Sequence, residues 1–392
     1  MFVQTCIAPV NIALIKYWGK RHEELILPIN DSLSVTLNTD EMCAKTTAAA
    51  SASFKDNVMW LNGEKVPFEQ NARLMRCVKE LQQLATAKGK LKFPIEWKLH
   101  IASRNNFPTA AGLASSAAGY ACLVYTLAQL YGVEKEELTT IARQGSGSAC
   151  RSLHGGFVRW HMGTRNDGSD SIGSPVVSAE HWQDFHIIIL VVNDSRKKTS
   201  STSGMKRAVE TSDLLTHRVQ HCVPQRIAAV IDAIKNHDFP KLAEITMRDS
   251  NQFHAIALDT FPPCAYMNDV SHAIVDFVHA FNKEAGEIKL AYTFDAGPNA
   301  CLFLLEKDVS AALTAIQNSF PNDAGDSVEY VKGIPIRCEP KEIGAFYNNG
   351  TLPKNDKNLF KYIIHTRIGT GPQRLDESKS LLNISNGLPL EN

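Results

Sequence analysis

Apolar and polar positions alternate most clearly at Trp97, Leu99 and Ile101 against Lys98 and His100, the period of two that predicts a strand with one buried face. From 113 to 131 the chain is dense in Ala and Leu with almost no charge, which predicts a buried helix. A run of small residues, Asn105-Asn106-Phe107-Pro108-Thr109-Ala110-Ala111-Gly112, joins the two. Upstream, residues 28–37 read as a turn leading into an alternating strand whose Ser32 and Ser34 share a face. Residues 59–68 form a hairpin around Asn62-Gly63, and a helix over 70–87 has Arg73 in its first turn. Downstream, the pattern predicts a helix at 134–143, strands at 157–161 and 185–192, helices across 212–236, 240–254 and 266–286, and strands at 288–294 and 301–305. Strands and helices intermix throughout, and no repeat of 20 to 50 residues is present. The composition changes near the 185–192 strand, and the stretch after about Gln373 reads as low in order. The expected class is α+β in two lobes, 1–186 and 187–392, with a site between them.

Composition narrows the function classes. Forty-one basic side chains balance 41 acidic ones, so no overall field draws the chain to nucleic acid or to an anionic membrane. Apolar residues at 44% and charged ones at 21% are ordinary for a soluble globular protein rather than a disordered or fibrous one. Nine cysteines occur without any Cys-x-x-Cys, which reads as reduced thiol rather than a disulfide frame or zinc site. The longest apolar run, 187–192, is far too short to span a bilayer, and residues 1–17 lack the layout of a signal peptide. The cytoplasm is the expected compartment.

Candidate chemistry sits where small residues meet predicted helix starts. Unpaired N–H groups at the start of the 113–131 helix favour phosphate, and Ser115 and Ser116 add hydroxyls for phosphate oxygens or Mg2+. Small residues there also allow tight helix packing with no ligand. Neither a Walker A loop nor a Gly-x-Gly-x-x-Gly after a strand is present, so any nucleotide is held by a different loop. The run Lys16-Tyr17-Trp18-Gly19-Lys20 is either a solvated turn or a lysine pair aimed at an anion. Gly145-Ser146-Gly147-Ser148-Ala149-Cys150-Arg151-Ser152 suits a second oxyanion turn with Arg151 as a bidentate clamp, or else a connector. The hydroxyls and cations of 196–205 fit a diphosphate or a solvated loop. Asp295, before Gly297-Pro298-Asn299, is a turn residue unless it faces the phosphate site, where it would be a base.

Residues 108–119 resemble the phosphate loop of the GHMP kinase superfamily. Further stretches are similar to its mevalonate diphosphate decarboxylase family: Ala8-Pro9-Val10-Asn11-Ile12-Ala13, 16–20, 106–119, 145–152, 200–205, 295–300 and Gly369-Thr370-Gly371-Pro372-Gln373. The similarity runs nearly end to end, with 51–69 and 310–331 left unaligned. It implies the superfamily's two-lobed architecture, generally a homodimer. The implied reaction is an ATP- and Mg2+-dependent decarboxylation of mevalonate 5-diphosphate to isopentenyl diphosphate, ADP, phosphate and CO2. Loss of CO2 beside a tertiary alcohol needs that hydroxyl made into a leaving group, and phosphorylation does this without pyridoxal phosphate, thiamine or a Schiff base.

The resemblance also implies roles. Asp295 accepts or orients the proton of the substrate 3-hydroxyl, Lys16 stabilises the transferring charge, and Arg151 with Asn11 holds the carboxylate. Tyr17, Trp18, Gly19, Lys20, Arg73, Ser146, Gly147, Ser148, Ala149, Cys150, Ser200, Ser201 and Thr202 surround the rest of the substrate. Asn105, Pro108, Ala110, Gly112, Leu113, Ala114, Ser115 and Ser116 hold ATP, with Ser116 nearest the metal. Two rivals are a kinase of the same superfamily that stops at the phosphorylated acid, and a binding protein that has lost catalysis.

Overall fold

A computed structural model describes residues 1–89, 91–107, 115–134, 137–192, 198–323, 330–335 and 352–390. Within these, the first sheet runs in the order Gln373–Leu375, Phe2–Pro9, Cys43–Ser51, Lys98–Asn105, Val58–Leu61, Glu64–Val66. Its pairs are antiparallel except Val58–Leu61 with Lys98–Asn105, which is parallel. The Lys98–Asn105 strand and the Asn62-Gly63 hairpin follow the predicted periodicity. Cys43–Ser51 has no comparable signal because its apolar positions are alanines. Ala44, Ala48 and Ala50 join the main core, and Ala49 faces the other side with Ala102 and Leu382. Hydroxyls bind the strand to its neighbours, Thr5 to Thr47 at 2.9 Å and Thr46 to Ser103 at 2.9 Å.

The helices of this half are α1 (Ala72–Ala87), α2 (Ser115–Tyr131) and α3 (Leu138–Gly145). Asn71 caps α1 by accepting from the Leu74 N–H at 3.1 Å. Alanines on α2 and on Cys43–Ser51 let the helix lie close against the first sheet, with Ala117, Ala118 and Ala121 all buried. A 3-10 segment, Gly147–Leu153, packs on the other side of α2.

The second sheet runs Gly173–Val177, Phe157–Trp160, Ser32–Thr36, Asn11–Ile15, and the third runs Ala291–Phe294, Ala300–Leu305, Phe185–Val191, Tyr362–Arg367, Val331–Gly333. The later helices are α4 (Ser201–Thr211), α5 (Asp213–His217), α6 (Val223–Lys235), α7 (Phe239–Asp259), α8 (Asp269–Ala285) and α9 (Val309–Ser319). Helix α6 contacts three strands of the second sheet, and α7 touches both Asn11–Ile15 and Ala291–Phe294. One continuous apolar cluster therefore extends from Ala8 and Ala48 to Ile188 and Leu302.

One stretch left open takes a definite form, and one expectation needs correction. The stretch before 205, which fits a diphosphate or a solvated loop by sequence, is helical from Ser201, because the Ser200 hydroxyl accepts from the Ser203 N–H at 3.1 Å and closes the first turn. The tail expected to be low in order is built into the first sheet. Gln373–Leu375 pairs antiparallel with Thr5 to Ile7, the Leu381 N–H donates to Thr47 at 2.8 Å, and Leu382 is buried. Polar composition hid this segment, since main-chain bonds and one leucine carry it.

Candidate active site

A cavity of about 310 Å³ opens between the helical starts of α2 and α4. Lys16, just past Asn11–Ile15, and Asp295, just past Ala291–Phe294, meet at its wall with Nζ 2.7 Å from Oδ1. The lysine side chain is 4% exposed and the aspartate 34%, so the carboxylate is the partner that a ligand reaches. Behind the pair, the Lys16 N–H donates to Asp249 Oδ2 at 2.8 Å, and its carbonyl accepts from Asn30 and Arg218, each at 3.1 Å. Asp249 and Arg218 form a fully buried ion pair at 2.6 Å, joined by Arg226 at 2.9 Å. Burial opposes the Asp249 charge, but Arg218, the Lys16 N–H and Arg226 together hold its carboxyl below the usual range. Burial, followed by the Lys16 charge, pushes the nearby His254 down to about 3, so this ring is neutral.

Arg151 is 2% exposed. Its guanidinium donates to Asn11 at 3.2 Å, to Ser34 at 3.0 Å, to Ser148 at 3.1 Å and to Ser32. Asn11 in turn donates to the Ser148 carbonyl at 3.1 Å and to Ser152 at 2.8 Å. The shared face of Ser32 and Ser34 seen in the sequence is thus the seat of this arginine. Burial lowers the Arg151 pKa, yet a guanidinium stays charged. A buried cation seated among hydroxyls and amides on a cavity wall is arranged to receive an anion.

The starts of α2 and α4 add two more anion-favouring ends. Ser115 and Ser116 begin α2, and Ser116 lies 3.2 Å from the Ser146 hydroxyl. Ser201 and Thr202 begin α4 and also line the cavity. Lys20 is buried and paired with Glu23 at 2.6 Å, while Arg73 extends from the first turn of α1. Tyr17 packs on Trp160 with centroids 4.6 Å apart, and burial raises its phenol well above the ordinary value, so it stays protonated. Gly147 is required beside these rings, because a Cβ there would lie 2.8 Å from Trp160 and 3.0 Å from Tyr17.

Of the predicted residues, Asn11, Lys16, Tyr17, Trp18, Lys20, Arg73, Ser115, Ser116, Ser146, Gly147, Ser148, Arg151, Ser201, Thr202 and Asp295 line one cavity. Others are placed differently. Ala149 and Cys150 are fully buried, with the Cys150 thiol donating to the Gly147 carbonyl and pushed up to about 12 by burial. Gly19 is a backbone requirement, with φ +94° and a Cβ position 2.5 Å from Ile29. Ser200 caps α4, and Asn105 ends its strand with its N–H on Asn62 at 3.1 Å. Trp18 reaches the cavity but packs edge-on against Phe253 at 4.7 Å. Pro108, Ala110, Gly112, Leu113 and Ala114 lie outside the described residues. Sequence reasoning missed Asp249, Arg218 and Arg226, whose charges on amphipathic helices look like solvated faces. It also missed Ala13, Ile26, Ala117, Met205, Phe253 and Ala296 as apolar parts of the wall.

Comparison with known proteins agrees with this arrangement. Residues 8–173 match the diphosphomevalonate decarboxylase-like N-terminal domain, and 187–375 match the mevalonate 5-diphosphate decarboxylase C-terminal domain. The chain is 49% identical to human diphosphomevalonate decarboxylase over 98% of its length and 96% of the relative's. A crystal structure of mevalonate 5-diphosphate decarboxylase at 2.3 Å superposes with TM-score 0.87 at 41% identity, covering 99% of this chain and all of that one. The MDDEF complex with MVAPP, AMPPCP and magnesium gives TM-score 0.74 at 29% identity over 96% of this chain and 99% of that one. The chain belongs to the diphosphomevalonate decarboxylase family, with the GHMP-kinase-like fold that the resemblance of its motifs implies.

Proposed function

We propose that the cavity carries out the ATP-dependent decarboxylation of mevalonate 5-diphosphate, releasing isopentenyl diphosphate, ADP, phosphate and CO2. The observation that carries this reading is the 2.7 Å Lys16–Asp295 contact on the same wall as the buried Arg151. Asp295 takes the proton of the 3-hydroxyl as that oxygen attacks the γ-phosphorus of ATP. Lys16 balances the negative charge on the attacking oxygen and on the moving phosphoryl group. Arg151, steadied by Asn11, Ser32, Ser34 and Ser148, grips the carboxylate and fixes the bond that must break. The C–O bond to the new phosphate and the C–C bond to the carboxylate then cleave together. The electron pair of the second becomes the new C=C, and phosphate leaves with the pair of the first.

The start of α4 with Lys20 and Arg73 takes the diphosphate, and the start of α2 takes the ATP phosphates. Mg2+ prefers oxygen ligands and neutralises phosphate charge when bound, and the hydroxyl donors at Ser115 and Ser116 fit such an ion. Residues 1–186 and 187–392 supply the two lobes, the first giving the nucleotide loop and the second Asp295, with the tail from Gln373 returning to the sheet of the first. The working form is a homodimer in the cytoplasm, a reading supported by the family resemblance and by the free thiols of the described cysteines. Sedimentation of the purified chain tests the dimer.

Incubation with ATP, Mg2+ and mevalonate 5-diphosphate tests the reaction. Equal yields of ADP, inorganic phosphate and CO2 are expected. ADP with a phosphorylated acid and no CO2 would identify a kinase instead.

A further inference from the structure

Lys16 and Asp295 come from different sheets, so nothing local to either strand fixes their separation. Helix α7 touches both strands, and Asp249, Ser250 and His254, within about one and a half turns, meet Lys16 or the residue next to Asp295. Asp249 accepts the Lys16 N–H at 2.8 Å. Its ion-pair partner Arg218 donates to the Lys16 carbonyl at 3.1 Å, so one buried pair holds both main-chain polar groups of the lysine. The neighbouring Ser250 accepts the N–H of Phe294, the residue before Asp295, at 3.0 Å. His254, one turn further on, packs edge-on against the Phe294 ring with centroids 6.2 Å apart.

We propose that Asp249 and Ser250 are positioning residues for the reaction, with α7 as the bar that sets the distance between Lys16 and Asp295. Asp249 acts through the Lys16 main chain and Ser250 through Phe294. Neither is within the cavity wall, so neither touches substrate. A role in stability alone would be poorly served by this chemistry. Burying an aspartate with two arginines costs most of what their attraction returns, and an apolar cluster of the same volume would stabilise as well. What the charges supply is geometry, a fixed site for one lysine backbone. The inference rests on the roles given above to Lys16 and Asp295.

A double-mutant cycle tests it with the full chain. Asp249→Asn keeps one oxygen but turns an amide N–H₂ toward either Lys16 or the arginines. It should lower kcat by about 10- to 100-fold, the scale of a 1 Å misplacement, with KM for ATP and for mevalonate 5-diphosphate changed less than about threefold. In a Lys16→Met background the same substitution should cost less than about threefold more, because its effect passes through the lysine. Equal losses in both backgrounds, or a loss confined to KM, would overturn the proposal. Should Lys16→Met itself leave kcat intact, the reading of Lys16 fails rather than that of α7.

Ser250→Ala covers the case in which Asp249→Asn does not fold, since it keeps every charge and removes only the acceptor for Phe294. It should lower kcat by roughly 3- to 10-fold at unchanged KM, and the loss should vanish in an Asp295→Asn background. A Ser250→Ala enzyme with wild-type kcat would sink the α7 bar.

Discussion

Asp295 and Arg151 were each open to a plain structural reading in the sequence, one as a turn residue and the other as part of a connector. Their surroundings place both of them in the wall of one cavity. A turn aspartate bonds local N–H groups, whereas Asp295 reaches across 279 positions to Lys16. Asp295→Asn keeps the shape and most hydrogen bonds but cannot take a proton, so turnover should fall by about 100- to 10000-fold while binding of an ATP analogue is retained. Wild-type turnover in that variant would return Asp295 to the status of a turn. Arg151→Gln should separate the two ligands, because the arginine, seated on Ser32 and Ser34, is assigned to the substrate carboxylate and not to the nucleotide. Measured by titration, nucleotide affinity should stay within about threefold and catalysis should drop about 100-fold or more, the effect of losing a charged bidentate grip. These residues were legible because their types are chemically distinctive. Cys150 is placed away from the cavity for the opposite reason. It stands beside Arg151 in the chain, but adjacent side chains in a 3-10 segment point different ways, and its thiol turns into the core with Ile26 and Trp160.

At the scale of the element, α2 was legible through its uniform apolar run, and the Lys98–Asn105 strand through strict alternation. Helix α4 was not, because Ser201-Thr202-Ser203-Gly204 has little helix propensity and tertiary contacts decide its state. Gly204 lies where a Cβ would meet the Tyr266 hydroxyl at 2.1 Å, which shows how close the helix packs on the segment after α7. The Ser200 cap starts α4, whose first residues Ser201 and Thr202 line the cavity. Ser200→Ala should cost about 1 kcal/mol of local stability and raise KM for mevalonate 5-diphosphate roughly fivefold, with KM for ATP unchanged. Ser200→Asn, another good cap, should restore most of that. If Asn fails while the helix is intact by circular dichroism, the hydroxyl touches substrate directly and is more than a cap.

The whole molecule is joined where the chain crosses between its sheets, and a histidine pair sits at both crossings. His186 lies in Phe185–Val191, where the chain enters the third sheet. His365 lies in Tyr362–Arg367, just before Ile368 bridges back to Leu37. The Ile334 carbonyl only accepts, so Nδ1 of His365 donates to it at 2.9 Å, and Nε2 of the neutral ring accepts from His186 Nδ1–H at 2.9 Å. No sequence pattern announces such a pair, since 179 residues separate its members. Burial, then the repulsion that a protonated His365 would exert and the Arg367 charge, pushes His186 down to about 4, and burial lowers His365 as well. Above pH 6.5 the rings are neutral in both folded and unfolded chains, and stability is undiminished. As pH falls from 6.5 towards 4 the unfolded chain takes up protons that the folded one refuses, so stability falls across that window. His186 alone accounts for a loss of about 3 kcal/mol at the lower end, and the neutral His254 behind Lys16 adds to it with the same sign. Carboxylates titrate in part of this range too, so a variant isolates the effect. His186→Asn keeps a donor facing His365 and removes the group that titrates. The melting temperature of His186→Asn should therefore fall less steeply than that of the wild type between pH 6.5 and 4, with the curves diverging as pH drops. Parallel curves would mean that the two crossings are held by their strands alone, and that the histidines pack there without coupling the fold to pH.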